Sequence, residues 1–175
     1  DRTTGILSNH KKIYIYPQEF IDANPAVRWS NVEWSPDSRF IYAVSNLELF
    51  QVDTYNPEID EAIILIDTFN LTQDPFYTTF DFMAQGPDCR IYVTPRGGNF
   101  SMHVINKPNE LGKACDFVQN GIKLPNPNGK GTMPNFPRFR VDEEDKCDPT
   151  ITSIFGDAVF YRRNIEVYPS PSSGV

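Results

Sequence analysis

Ser35-Pro36-Asp37-Ser38-Arg39-Phe40-Ile41-Tyr42 returns 51 residues later as Gly86-Pro87-Asp88-Cys89-Arg90-Ile91-Tyr92, one residue shorter. In both copies a proline occupies the second place of a four-residue turn and an aspartate the third. Proline presets φ for the first central position of a type I turn, and aspartate hydrogen-bonds its own backbone just beyond. A short run rich in β-branched and aromatic residues follows each turn, which specifies a returning strand. Each copy therefore reads as a β-hairpin built on Pro36 and Asp37, or on Pro87 and Asp88.

Further strands flank both hairpins. Residues 31–35 lead into the first turn, 39–45 return, and 47–53 and 61–67 supply a third and a fourth strand. The second copy repeats the order with 79–84, 90–94, 101–106 and a fourth strand over 116–124 that Asn120-Gly121 interrupts. Upstream, residues 12–16 read as a strand stopped by Pro17, and 18–28 as a loop with one helical turn. Four strands in a repeat of about 40–50 residues are the signature of a propeller blade. The expected fold class is all-β: a partial β-propeller of about two four-stranded antiparallel blades plus flanking strands, with an extended C-terminal tail. Residues 1–141 form the blades, with 133–141 as a completing strand, and 142–164 form a linker. Propellers need about 4–8 blades, and two would leave long edges open. The expected neighbours are therefore the rest of a longer propeller chain or adjacent subunits, and the chain reads as a piece incomplete at both ends.

Composition agrees with strands over helices. The 175 residues include 13 Phe, 8 Tyr and 2 Trp, with 15 Pro as punctuation. A net charge of −7 argues against a nucleic-acid partner, which needs a basic face. No run approaches the roughly 18 apolar residues of a membrane helix. The only histidines are His10 and His103, and the three cysteines, Cys89, Cys115 and Cys147, form no CxxC pair. No metal site and no cofactor are expected. No nucleophile elbow, zinc-protease motif or phosphate loop occurs, so the chain reads as a non-enzyme. In an exported protein two of Cys89, Cys115 and Cys147 are expected to pair, and the sequence leaves the pairing open.

The run 86–93, then 102–109, then Ala114-Cys115-Asp116-Phe117, then 133–139, resembles large exported proteins of Bacteroidetes that combine propellers with a C-terminal sorting domain. Residues 35–42 with 49–53 fit the preceding blade of that family. The tail is similar to the opening of type A sorting domains of the type IX secretion system: Val167, Tyr168, Pro169, Ser170, Pro171, Ser172, Ser173 and Gly174 carry it, within residues 165–175. Ser170 stands where the family has Asn. The resemblance implies export across the outer membrane to the cell surface or medium, with the export machinery as a partner.

Asp37 and Asp88 read as turn caps rather than calcium ligands, and the acidic run 142–145 as solvated linker. Arg96-Gly97-Gly98-Asn99 reads as a flexible hairpin tip at a rim, where ligands are met. Trp29, Trp34 and the tyrosines are candidates for stacking on sugar or for filling space between blades. The leading expectation is an exported module that binds carbohydrate, protein or cell surface. The alternatives are a scaffold part of a larger secreted enzyme, and a cargo or accessory subunit held by the export machinery.

Overall fold

Period-two alternation lays down two sheets of four antiparallel strands. The computed structural model describes residues 13–16, 18–24 and 29–129. The first sheet runs β1 (Trp29–Trp34), β2 (Phe40–Ser45), β3 (Glu48–Asp53) and β4 (Ile63–Thr68) in sequence order. The second runs β5 (Phe82–Gln85), β6 (Ile91–Thr94), β7 (Ser101–Ile105) and β8 (Phe117–Lys123) in the same order. The protein is thus mostly β, and among the described residues the two sheets do not close into a ring.

The missing residue of the second hairpin shows in its hydrogen bonds. Ser35 N–H donates to the Phe40 carbonyl at 2.8 Å, whereas Gly86 N–H donates to the Arg90 carbonyl at 2.8 Å. Ser38 and Cys89 occupy the same left-handed position, with φ of 62° and 65°. The registers then fix equivalence: Ile41 opposes Trp34, as Ile91 opposes Gln85. By the same pairings Val52 corresponds to Ile105, Ala43 to Val93 and Tyr42 to Tyr92.

Equivalent positions do not face each other. Phe40, Tyr42, Val44 and Leu49 of the first sheet are buried against Met83, Ile91, Val93 and Ile105 of the second. Tyr42 therefore points at the second sheet, while Tyr92 alternates away from the first. The sheets stack head to tail, so each offers a different face to its neighbour. Phe69 and Phe80, from the β4–β5 connection, complete this core with their rings edge to face at 6.2 Å. Each fully buried side chain of this size contributes about 1.5–3 kcal/mol.

A polar joint crosses the same interface. The buried Gln51 donates through Nε2 to Tyr42 Oη at 2.7 Å and to the Glu110 carbonyl at 2.8 Å, and its Oε1 accepts from Gly112 N–H at 2.7 Å. Tyr42 in turn donates to the Pro108 carbonyl at 2.8 Å. Residues 108–112 belong to the β7–β8 connection, so one carboxamide ties the first sheet to the second. Farther out, Gln119 Nε2 donates to Asp67 Oδ2 and to the Thr68 carbonyl, both at 2.9 Å.

Several boundaries differ from the sequence reading. Residues 13–16 form no strand. The Tyr16 ring meets Phe50 edge-on at 5.6 Å and stacks on Phe20 at 4.8 Å, so ring packing on the outer face of the sheet replaces ladder pairing. Phe20 lies in α1 (Gln18–Ala23), longer than the single turn expected. A short helix, α2 (Ile59–Ala62), takes the start of the expected fourth strand. Thr79 and Phe80 precede β5 instead of joining it, because Phe80 N–H donates to the Asn46 carbonyl while its ring enters the core. Asn120-Gly121 does not break the last strand. It forms a bulge in a continuous β8, with Asn120 at φ 54°. The completing strand 133–141, the linker 142–164 with its acidic run, Cys147 and the tail 165–175 lie outside the described residues.

Candidate functional site

Both aspartates of the repeated turns are occupied by their own turns. Asp37 Oδ1 accepts from Ser35 Oγ–H at 2.5 Å and from Arg39 N–H at 3.0 Å. Asp88 Oδ1 accepts from Arg90 N–H at 3.3 Å, and its Oδ2 from Arg90 Nε–H at 2.5 Å and Tyr92 Oη–H at 2.6 Å. Burial opposes the Asp88 charge, but the bonds from Tyr92 and Arg90 outweigh it and hold the carboxyl below its usual range. The Tyr92 hydroxyl is pushed up to about 12, by burial first and then by Asp88. Among the described residues no group of three or more His, Cys, Asp or Glu is placed to hold a metal ion. Pro36 and Pro87 set the bends, and Cys89 closes the second turn.

The two arginines differ for a reason the register supplies. Arg39 grips Asp53 at the end of β3, Nη2 to Oδ2 at 2.7 Å and Nε to Oδ1 at 3.2 Å. That pairing holds the Asp53 carboxyl below its usual range. Asp53 follows Val52 as Asn106 follows Ile105, so the second copy has an amide where the first has a carboxylate. Arg90 turns back to its own Asp88, and Asn106 binds Asp116 instead, at 3.2 Å to the carbonyl.

His103 is fully buried, with ring contacts to Phe80 at 4.9 Å and Phe117 at 6.0 Å. Its Nδ1 accepts the bulge amide of Asn120 at 3.0 Å, and Nε2 makes no hydrogen bond. The Thr78 backbone and the Asp67 charge favour the charged ring, but burial outweighs both, and no Thr78 contact to Nε2 meets hydrogen-bond geometry. Desolvation lowers the His103 pKa to about 4, so the ring is neutral and structural. Cys115 is a buried free thiol whose pKa burial pushes up.

At the opposite end from the Pro36 and Pro87 turns, the β4–β5 connection meets the β6–β7 hairpin. Leu71, Phe76 and Tyr77 stand 71%, 62% and 55% exposed there. The backbone around Phe76 is held by several hydrogen bonds. A cis Asp74-Pro75 bond turns the chain, Gln73 bridges Tyr77, and Asp74 N–H donates to the Phe76 carbonyl at 2.9 Å. The buried Asn99 accepts Phe76 N–H at 3.1 Å and donates through Nδ2 to the Arg96 carbonyl at 2.8 Å. Asn128 accepts Asn99 N–H at 2.8 Å and donates to the Pro95 carbonyl at 2.9 Å. Lys123 pairs with Asp74 at 2.7 Å, holding that carboxyl below its usual range. Gly98 has φ 92°, and a Cβ there would meet the Phe76 ring at 3.0 Å. Residues 96–99 are therefore a held turn, not the flexible tip expected from two adjacent glycines. Leu71, Phe76 and Tyr77 are thus large apolar side chains left in water, beside a turn held by Asn99 and Asn128.

The turn end carries an open groove of about 400 Å³ lined by Trp34, Ser35, Pro36, Ser38 and Gln85. Its single ring, Trp34, belongs to the outer face of the first sheet. Leu71, Phe76 and Tyr77 escaped the sequence reading because their segment has no period. The available signal was two adjacent aromatics after Asp74-Pro75 in an otherwise polar loop. A comparison of the chain with family models, with curated proteins and with solved structures returned no match.

Proposed function

We propose that this chain is a binding module of an exported β-propeller, non-catalytic in itself, that meets carbohydrate or protein at the cell surface through the Leu71-Phe76-Tyr77 platform. The observation that carries the reading is that platform: exposed rings on a backbone fixed by Asn99 and Asn128. Rings held in place lose little entropy when a ligand stacks on them. The head-to-tail order of the sheets supports the propeller, since stacking of that kind closes a ring where the rotation between sheets permits. The tail at 167–174, similar to a type IX sorting signal, supports delivery by that machinery.

Binding is tested by adsorption of the purified chain and its Phe76→Ala/Tyr77→Ala variant to a polysaccharide panel and to whole bacterial cells. Adsorption lost in a variant that keeps its circular dichroism supports the platform; equal adsorption, or none by either protein, refutes it. Export is tested by deleting residues 167–175, with any sorting domain that follows them, in a type IX-competent bacterium. Undiminished secretion refutes the export route.

A further inference from the structure

Both ends of the loop that carries Leu71, Phe76 and Tyr77 meet at one buried histidine. The loop leaves β4 at Thr68 and returns to the core at Thr78 and Phe80. Its start is held from β8. Gln119 Nε2 donates to Asp67 Oδ2 and to the Thr68 carbonyl, both at 2.9 Å, and its Oε1 accepts Asn70 N–H at 3.1 Å. Its close is held from within, where Thr78 N–H and Oγ1–H donate to the Thr72 carbonyl at 3.0 and 3.3 Å.

His103 lies between these two ends. Val104 pairs with Val118 and Met102 with Ile122, so residues 119–121 bulge opposite His103 alone. Within the bulge, Asn120 N–H donates to His103 Nδ1 at 3.0 Å, and Asn120 Oδ1 accepts from Ser101 Oγ–H at 3.0 Å. On the other side the Thr78 backbone acts on the same ring without completing a bond to Nε2. Phe80 packs on the ring at 4.9 Å and on Phe69 at 6.2 Å, and Phe69 meets Tyr77 at 6.2 Å. Aromatic contact therefore runs from His103 to the exposed Tyr77. The charged group that acts on the ring is Asp67, near the end of β4. A protonated imidazole is a donor at both nitrogens. Nδ1–H would then face the Asn120 N–H across 3.0 Å, donor against donor, and a bulged residue has no ladder partner to fall back on.

We propose that His103 is an acid-sensitive clasp for the platform loop. A proton on the ring expels the Asn120 amide, the shifted bulge withdraws Gln119 from residues 67–70, and the loop loosens at both ends while the two sheets stay folded. The consequence is release of a bound ligand in acid, and that consequence rests on the platform reading under the proposed function. Loosening of the loop is measured without any ligand, so it succeeds or fails apart from whether the platform binds.

The test is native-state hydrogen exchange of the whole chain, read amide by amide by NMR between pH 6.5 and pH 4 and corrected for the intrinsic exchange rate. The enclosed ring titrates at about 4 and a solvated one near 6.5. Opening at the Asn70, Thr78 and Asn120 amides is therefore expected to rise about 100-fold over this range, with a much smaller change along β2 and β3. His103→Gln takes up no proton and is expected to abolish the rise. That variant keeps Asp67 and Asp74, so a rise that persists in it belongs to a carboxylate and overturns the clasp. An equal rise along β2 and β3 overturns it too, because the whole fold is then opening. A rise confined to Asn120 shows that the bulge does not govern the loop, and overturns it as well. Should the variant not fold, the comparison of segments within the wild type decides. The expected exchange in a chain that adsorbs no ligand leaves the clasp standing and removes only its consequence for binding.

Discussion

Replacing His103 by Leu should change how the fold responds to acid. The imidazole is fully buried, accepts the Asn120 amide on Nδ1, and has its pKa lowered from 6.5 to about 4 by desolvation. Protonation in the folded state would place a charge between Phe80 and Phe117 and break the Asn120 bond. The folded pKa lies below the unfolded one, so between the two values the unfolded chain binds more protons. Stability that is complete above about pH 6.5 is therefore lost as pH falls toward about 4. A difference of roughly 2.5 pK units at about 1.4 kcal/mol each makes the loss about 3 kcal/mol. The Leu variant strands the Asn120 amide at a constant cost of about 1–3 kcal/mol, but it no longer titrates. Urea unfolding of both proteins at several pH values between neutrality and pH 4 checks this. The wild type's stability minus the variant's should fall by about 3 kcal/mol between neutrality and pH 4, so that its advantage at neutral pH vanishes or reverses. His10 and the carboxylates are common to both proteins and cancel. Parallel stability curves would refute a buried neutral His103.

Three further outcomes follow from the packing. Gln51→Leu strands the Glu110 carbonyl and the Gly112 amide at the joint between the sheets. It should cost about 2–4 kcal/mol, read as a lower urea midpoint with an unchanged slope. Gly86→Ala places a Cβ against the Tyr92 ring and 2.7 Å from Asp88 Oδ1. Both groups are pinned by their own hydrogen bond, so the cost should be about 1–3 kcal/mol, seen as a lower melting temperature. Cys115 should resist alkylation in the folded protein and react on unfolding, and any bridge found by non-reducing peptide mapping should leave Cys115 out. A Cys115-containing bridge would contradict its burial as a free thiol.

Local chemistry made the hairpins and the four-strand order legible. Pro36, Asp37, Pro87 and Asp88 act within their own turns, and the 51-residue spacing is visible without any contact. What tertiary packing decides was not legible. Nothing around residues 13–16 says that Tyr16 will lie on Phe50 instead of pairing in a ladder. Nothing local says that Phe80 will leave its strand to fill the space between sheets. The bulge at Asn120 was read as a break because its acceptor, His103, is 17 residues away. The platform stayed hidden for the same reason: its rigidity comes from Asn99 and Asn128, which reach residue 76 across the fold.

The divergent arginines give the two hairpins different unfolding behaviour. Arg39 spans from the first turn to Asp53 on β3, so opening that turn also breaks a link to a third strand. Arg90 closes on Asp88 inside its own turn and makes no such claim on β7. Amide hydrogens at residues 38–40 should therefore exchange with the first sheet as one cooperative unit, while those at 89–90 exchange through a smaller, local opening. A single exchange of carboxylate for amide, Asp53 in one copy and Asn106 in the other, is thus expected to make one repeat open as a block and the other from its tip.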